Sequence, residues 1–273
     1  MLAKYGLAAS KQRGQNFLSD ANVTRKVVAA TGVGKDDIVV EVGPGFGALT
    51  FGLADAARHV IAVEVDSGIA RAFLEEYGHQ DCITIVRHDI LDFDFGRAAG
   101  DYGVQRVTVV GNIPYNVTSP LITRLIGFRD SVARAVLMVQ SEVGARITAE
   151  PAESEYSALS VVARYHAQVR RLFTVRASCF YPRPKVDSGV VEIDFESRPE
   201  RASDPDAFAD VVRAAFGKRR KMLRQSLGAI LKEAQLEASE LEGLSGIDMT
   251  RRGETLSVEE FDRLALALQR KAA

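Results

Sequence analysis

Asn112-Ile113-Pro114-Tyr115 follows closely on the apolar run Val107-Thr108-Val109-Val110. It sets an amide, a proline-stiffened turn and an aromatic ring at the end of what reads as a buried strand. Such a set suits a planar base held by an exocyclic amino group. The amide oxygen of Asn112 can accept one amino hydrogen and a backbone carbonyl of the turn the other, while Tyr115 stacks on the ring. An amino nitrogen held this way loses conjugation with its ring, and its lone pair can face an electrophile. The attack itself then needs no general base. Taken alone, the same residues also read as a strand ending in an Asn-containing turn ahead of a helix.

Three further groups could build a site around this one. Glu41-Val42-Gly43-Pro44-Gly45-Phe46-Gly47 ends an apolar run and opens a helix. Its glycines let backbone approach a ligand, and N–H groups at a helix start suit an anion. A dinucleotide site would carry G-x-G-x-x-G/A. The G-x-G-x-G spacing here tilts toward S-adenosylmethionine, whose methionine end offers one carboxylate and no pyrophosphate. A glycine turn made only for packing would read the same way. Glu64, 21 residues beyond Gly43, can accept both ribose hydroxyls of an adenosine ligand, or cap the next helix. Asp89 can accept from the adenine amino group of that ligand, or serve as a loop or cap aspartate.

The elements that would position these groups alternate between residues 36 and 140. The pattern predicts strands over Asp37–Val42, Val60–Val65, Ile83–Val86, Val107–Val110 and Ala135–Val139. Helices are expected over Ala48–Ala57 and over Ser67–Tyr77, the latter with Ser67 as N-cap. Continuous apolar strands alternating with helices imply a parallel sheet covered on both faces. Ligands of such sheets bind at the carboxyl ends of the strands, where Gly43, Glu64, Asp89 and Asn112 all fall. A helix over Ser157–His166 precedes two late strands, Val169–Val175 and Gly189–Phe195, expected as an antiparallel edge. Between them, Phe180-Tyr181-Pro182-Arg183-Pro184-Lys185 is a loop stiffened by two prolines. The polar stretch Glu196–Pro205 reads as a linker. Beyond it the patterns are helical, roughly Asp206–Phe216, Lys218–Lys232 and Val258–Gln269, the last with Ser257 as N-cap.

Bulk properties exclude several classes. The 273 residues are 47% hydrophobic and 26% charged, as in ordinary globular chains, and no apolar run approaches the ~20 residues of a membrane span. Lys4, Lys11 and Arg13 lack the apolar core of a secretory signal between them. Two isolated cysteines, Cys82 and Cys179, fit a reducing cytoplasm, and four scattered histidines show no metal-ligand spacing, so no metal is expected. The net charge of −1 hides a segregation: residues 1–30 carry +4, 164–185 carry +6 and 211–225 carry +6, leaving −17 for the rest. Should these runs converge, they would make a phosphate-binding surface.

Lys11-x-x-Gly14-Gln15-Asn16-Phe17-Leu18-x-Asp20, the glycine loop, Glu64, Asp89, Asn112-Ile113-Pro114-Tyr115 and Phe180-Tyr181-Pro182-x-Pro184-Lys185-Val186-Asp187-Ser188 occur in that order. The chain thereby resembles the rRNA adenine dimethyltransferase family, most closely its bacterial small-subunit branch, from about residue 11 to 268. The resemblance implies a Rossmann-like S-adenosylmethionine-dependent α/β sheet in a catalytic domain over 1–198, and a small all-helical RNA-binding domain over 199–273. It implies that Asn16 and Leu18 close over the cofactor, and that Gly43 touches its methionine end, Glu64 its ribose and Asp89 its adenine. Asn112 would face both the cofactor and the target amine. Tyr115 and Phe180 would sandwich the adenine, although Phe180 alone also reads as a core aromatic. In the basic segment, Leu223, Leu227, Ile230 and Leu231 make the buried face of a helix. Lys218, Arg219, Arg220, Lys221 and Arg224 could then contact RNA phosphates, which fixes position without reading sequence.

The implied activity is transfer of two methyl groups from S-adenosylmethionine to the exocyclic amine of each of two adjacent adenosines near the 3′ end of small-subunit rRNA. The implied partner is that rRNA in a pre-30S particle, met by a cytoplasmic monomer that uses neither membrane nor metal. Two other readings stay open: the same chemistry on large-subunit rRNA or DNA, and a non-catalytic RNA-binding assembly factor on the same fold. A nicotinamide dehydrogenase is disfavoured, since no proton donor sits beside a hydride site.

Overall fold

The computed structural model describes residue 5 and residues 15–114, 116–218 and 220–272. The chain forms two compact units, Met1–Gly144 with Gln168–Ser197, and Ala145–Ala167 with Arg198–Ala273. Residues 145–167, expected in the first domain, thus pack with the second unit. The cause is visible in the helix Ala158–His166, whose Val161 and Tyr165 join the apolar cluster of Phe208, Val212 and Phe261.

In the first unit the strands are β1 (Phe17–Leu18), β2 (Ile38–Val42), β3 (His59–Glu64), β4 (Ile83–Arg87), β5 (Val107–Asn112), β6 (Val132–Gln140), β7 (Gln168–Val175), β8 (Phe180–Tyr181) and β9 (Ser188–Asp194). Seven of them make one sheet in the order β4-β3-β2-β5-β6-β9-β7, and β1 pairs with β8 in a second. The five strands from β4 to β6 run parallel, while β9 is antiparallel to both β6 and β7. The expected antiparallel edge is therefore present. β2 and β9 are buried along their whole length, as strands covered on both faces must be, and their apolar runs supply that burial.

Strand order reverses between β2 and β5, the place where such sheets open a ligand crevice. Val42 pairs with Gly111, so Gly43 and Asn112 leave their strands side by side. A Cβ on Gly111 would come within 2.7 Å of the Val42 carbonyl oxygen, so this close pairing requires glycine there. The strand expected to stop at Val110 continues through Asn112, because the Ile113 N–H donates to the Met138 carbonyl at 2.9 Å. The helix after β3 begins at Ser67, but its cap is Asp66, whose carboxylate accepts from Gly68 and Ile69 N–H.

In the second unit, helices Ala158–His166, Pro205–Gly217, Ala238–Ser245 and Val258–Ala272 pack around Phe208, Leu241 and Phe261. Ser257 caps the last helix: its hydroxyl accepts from Glu260 N–H, while the Glu260 carboxylate accepts from Ser257 N–H. This reciprocal box satisfies two end groups at once. The helix expected over Lys218–Lys232 is instead two short ones, Leu223–Ser226 and Gly228–Glu233. The chain around Leu223 is held by a distant segment: Met222 bridges Arg252, Leu223 N–H donates to Arg251 and Arg224 N–H to Met249. That pairing claims backbone groups a continuous helix would need. Among the described residues, no helix is long and apolar enough to cross a membrane, and no three His, Cys, Asp or Glu side chains could jointly hold a metal ion.

Candidate active site

A cavity of about 740 Å³ opens at the carboxyl ends of β2, β3, β4 and β5, within the usual size range of small-molecule sites. Asn16, Leu18, Gly43, Glu64, Asp89, Asn112 and Phe180 all line it. Seven positions scattered over more than half the sequence thus meet on one surface. Tyr115 and Arg219 lie outside the described residues, as do Lys11 and Gly14.

The glycine loop is built by conformation. Gly43, Gly45 and Gly47 have φ of 63°, 56° and 86°, the left-handed region that glycine enters without penalty. A Cβ on Gly45 would press on the Phe17 ring and one on Gly47 on the Phe51 ring, whereas one on Gly43 would meet nothing within 4 Å. Gly43 therefore faces open cavity, and its bare backbone is what a ligand would touch. The expected helix at Ala48 starts two residues later, at Thr50, because Gly47 N–H first closes a turn onto the Pro44 carbonyl at 2.9 Å.

Two carboxylates stand behind the loop. Glu64 is 5% exposed; its Oε1 accepts from Asp66 N–H at 2.9 Å. Burial raises its pKa and that hydrogen bond opposes the rise. The alternative of a helix cap at Glu64 falls away, since Asp66 fills it. Glu41 is fully buried and lines the same cavity. Burial pushes its pKa up to about 8, and the Glu64 charge adds to the effect. Glu41 Oε2 and Thr50 Oγ1 are both buried without a hydrogen-bond partner among the described residues. The Thr50 hydroxyl opposes the shift. Sequence reasoning gave Glu41 no role. The signal was there: one acid inside Ile38-Val39-Val40-Glu41-Val42, where only a partner offsets its burial.

Asp89 is exposed and lies two residues past β4. Its Oδ1 accepts from Leu91 N–H at 2.9 Å, so it makes a local turn and borders the cavity as well. Phe180 is 5% exposed and packs with Leu18, Val175 and Val190, so it is a core aromatic and a cavity wall together. Its strand is fixed from both sides. Leu18 pairs with Phe180 and Phe17 with Tyr181, and Asp187 Oδ1 accepts from Ala177 N–H at 2.8 Å across the base of the loop. The Tyr181–Pro182 bond is cis.

Asn112 is held by a distant part of the chain. Its Nδ2 donates to the Asn16 carbonyl at 2.7 Å across 96 residues of sequence. This settles which way the amide points and leaves Oδ1 with no partner among the described residues. In the turn that follows, the Pro114 carbonyl already accepts from Val117 N–H at 3.0 Å and Thr118 Oγ1 at 3.3 Å.

The basic segment belongs to the second unit. Lys218, Arg220, Lys221 and Arg224 are exposed and in no ion pair among the described residues. The bridge from Met222 brings exposed Arg252 beside them, a neighbour 30 residues away that a linear reading passes over. The run 164–185 is different. Arg164 pairs with Glu150 at 2.6 Å and Arg170 with Glu192 at 2.5 Å, and Arg171 donates to Thr174 Oγ1. Only Arg176, Arg183 and Lys185 of that run remain unpaired among the described residues.

The residues present fit S-adenosylmethionine. An orphaned buried carboxyl at Glu41 could meet an ammonium, the space at Gly43 could take an amino-acid end, and Glu64 and Asp89 could meet a nucleoside. Comparison with known proteins agrees. The profile of the family described as ribosomal RNA adenine dimethylase matches residues 6–270. The chain is 42% identical over 276 residues to the ribosomal RNA small subunit methyltransferase A of Moorella thermoacetica, covering 98% of this chain and 96% of that one. It is 40% identical to the protein of the same name from Geobacter sulfurreducens, covering 96% of each. Among solved structures it is similar to a dimethyladenosine transferase from Plasmodium falciparum, with a TM-score of 0.77, 25% identity, and 94% and 98% of the two chains covered. The fold also matches the 23S rRNA methyltransferase ErmE, with a TM-score of 0.72 at 23% identity over 93% of this chain and all of that one. The chain belongs to the ribosomal RNA adenine dimethylase family, and it is an S-adenosylmethionine-dependent rRNA adenine dimethyltransferase.

Proposed function

We propose that this enzyme dimethylates adenosines of small-subunit rRNA, at two adjacent positions near its 3′ end, in subunits still being assembled. The reading includes a cytoplasmic monomer that needs no metal. The relatives' names support the small subunit as target, and two unpaired cysteines accord with a reducing compartment.

The observation that carries the reading is the amide of Asn112, oriented by the Asn16 carbonyl at the mouth of a crevice that also holds Glu64. With Nδ2 engaged, Oδ1 is the atom left to accept from a target amine. The second acceptor is the Ile113 carbonyl, since the Pro114 carbonyl is already doubly engaged. Two acceptors fix the amine plane and turn its lone pair along one direction. Bound against Gly43 and Glu64, with Asn16 and Leu18 over it and Asp89 at its adenine, S-adenosylmethionine supplies a methyl group made electrophilic by its sulfonium. The protein's own work is alignment, and proximity of that kind can account for ~7–11 kcal/mol of a barrier. After one transfer the methylated nitrogen sheds a proton to water and the amine keeps one hydrogen, so one acceptor suffices and the other makes room. Phe180 and Tyr115 hold the base faces, offsetting the few kcal/mol needed to unstack it. Lys218, Arg219, Arg220, Lys221 and Arg224, joined by Arg252, hold phosphates of the RNA.

The test uses small subunits from cells lacking the modification, incubated with the enzyme and labelled cofactor, then digested to nucleosides. Labelled dimethyladenosine is expected, with large-subunit RNA a poor competitor. Its absence, or preferential labelling of the large-subunit RNA, overturns the assignment.

A further inference from the structure

We infer that Tyr181 is a stacking platform for the nucleotide next to the one held in the cavity. This rests on the reading of the cavity as the site of an RNA adenosine. Side chains alternate across a strand, and β8 shows the alternation in its two residues. Phe180 is 5% exposed and lines the cavity, whereas Tyr181 is 64% exposed on the opposite face. Every other described Phe or Tyr side chain is at least partly buried. An isolated exposed apolar residue needs no explanation, but the backbone that carries this ring is paired in a strand. Its partner across the pair is Phe17, a cavity-wall residue, and Pro184 of the same loop lines the cavity too. The ring therefore stands at the rim.

Its surroundings select the occupant. Arg176, Arg183 and Lys185 are exposed and unpaired among the described residues, on the loop that carries Tyr181. No acid in the segment 164–185 offsets them. An exposed aromatic ring on a loop that also carries free cations is the combination that binds single-stranded nucleic acid: cations hold phosphates, and every base offers a face to stack. A strand that sends one base inward past Phe180 must carry its neighbour along the rim. Successive residues of β8 would then meet successive nucleotides, one in the cavity and one outside it. Tyr181 is a positioning residue in this scheme and touches no reacting atom.

The test compares Tyr181→Ala, Tyr181→Leu and Tyr181→Phe with the parent in methyl transfer to unmethylated small subunits at saturating cofactor. Affinity for a fluorescent single-stranded oligoribonucleotide, for S-adenosylmethionine, and the melting temperature are measured alongside. Tyr181→Ala should raise the KM for the particle about tenfold, the scale of one base stack, with kcat, cofactor affinity and melting temperature unchanged. Tyr181→Phe should restore KM and Tyr181→Leu should not. Unchanged KM in Tyr181→Ala overturns the inference. So does rescue by leucine, which would mean apolar contact with a protein, or a loss in kcat alone. If the parent enzyme labels no adenosine, the functional reading fails by itself. The oligonucleotide arm then decides separately, since stacking still requires weaker binding in Tyr181→Ala.

Discussion

The crevice of the first unit and the basic segment of the second use polar side chains in opposite ways. At the strand ends nearly every polar group is tied down or buried: Asn112 by Asn16, Glu64 by Asp66, Glu41 by the sheet around it. On the segment 218–224, the described cations reach into solvent outside any ion pair among the described residues. A methyl transfer needs atoms aligned to a fraction of an ångström, so its groups must be locked before the substrate arrives. Phosphate binding needs only charge at roughly the right place, and free side chains adapt to the backbone they meet. One region should therefore fail abruptly on substitution, the other gradually.

Asn112→Ala is the sharpest way to break this contrast. It should lower kcat at least about 1,000-fold, on the scale of losing an oriented reactant, while S-adenosylmethionine still binds in equilibrium dialysis and the melting temperature moves little. Near-normal turnover would remove the amide from the mechanism. Glu64→Ala should weaken cofactor binding roughly 10- to 100-fold, the scale of one or two hydrogen bonds to a carboxylate, with kcat recovering at saturation. An unchanged affinity would mean the ribose lies elsewhere.

Glu41 sharpens the contrast through pH. Its folded pKa of about 8 lies above the ordinary carboxyl value of 4.5, so the folded chain holds a proton that the unfolded chain releases. Stability is then fully retained below the unfolded value and drains away as pH rises through the window up to about 8. Glu41→Gln keeps a neutral side chain throughout. Without cofactor, parent and variant should melt together in acid. Above pH about 8.5 the variant should be more stable by on the order of 1–2 kcal/mol, allowing for relaxation around the charge. Identical melting curves across that range would show the carboxyl is not desolvated. The smallest effects belong to the basic segment. Lys221→Ala and Arg224→Ala should each raise the KM for RNA a few-fold and flatten its salt dependence by about 0.7–0.9 in log–log slope for each phosphate left unneutralised. A slope that does not move would take these side chains off the phosphates.

The sheet was legible because its signals are local. Ile38–Val42 and Val107–Val110 are β-branched runs, and the loop after Gly43 advertises left-handed backbone by composition alone. The meeting of Gly43, Glu64, Asp89 and Asn112 at one cavity followed from strand ends lying together in parallel sheets. What stayed hidden depends on distant partners. Nothing near Lys218–Lys232 shows that Met222 will pair with Arg252, so an apolar helical period looked continuous where the chain is broken. The basic run 164–185 looked uniform, yet Glu150 and Glu192 neutralise Arg164 and Arg170 from outside the window. Residues 145–167 carry the same kind of apolar helix as the first unit, and contacts with residues far along the chain, such as Tyr165 stacked on Phe208 at 3.7 Å and the Tyr156 hydroxyl donating to the Leu256 carbonyl, assign them to the second.

The bond from Asn112 to Asn16 has a consequence for how the protein ages. Asparagine is lost when the following backbone nitrogen attacks its side-chain carbonyl, ammonia leaves, and water opens the resulting succinimide to aspartate or isoaspartate. Here that nitrogen, on Ile113, donates to the Met138 carbonyl inside the sheet, and the amide that would leave is held by the Asn16 carbonyl. The branched Ile113 side chain crowds the approach further. Aspartate at 112 would set an oxygen against the Asn16 carbonyl and abolish the orientation that the amide provides. On the proposed role of Asn112, the hydrogen bond that aims its side chain, together with the one that holds the Ile113 N–H, also slows the spontaneous reaction that would end methyl transfer.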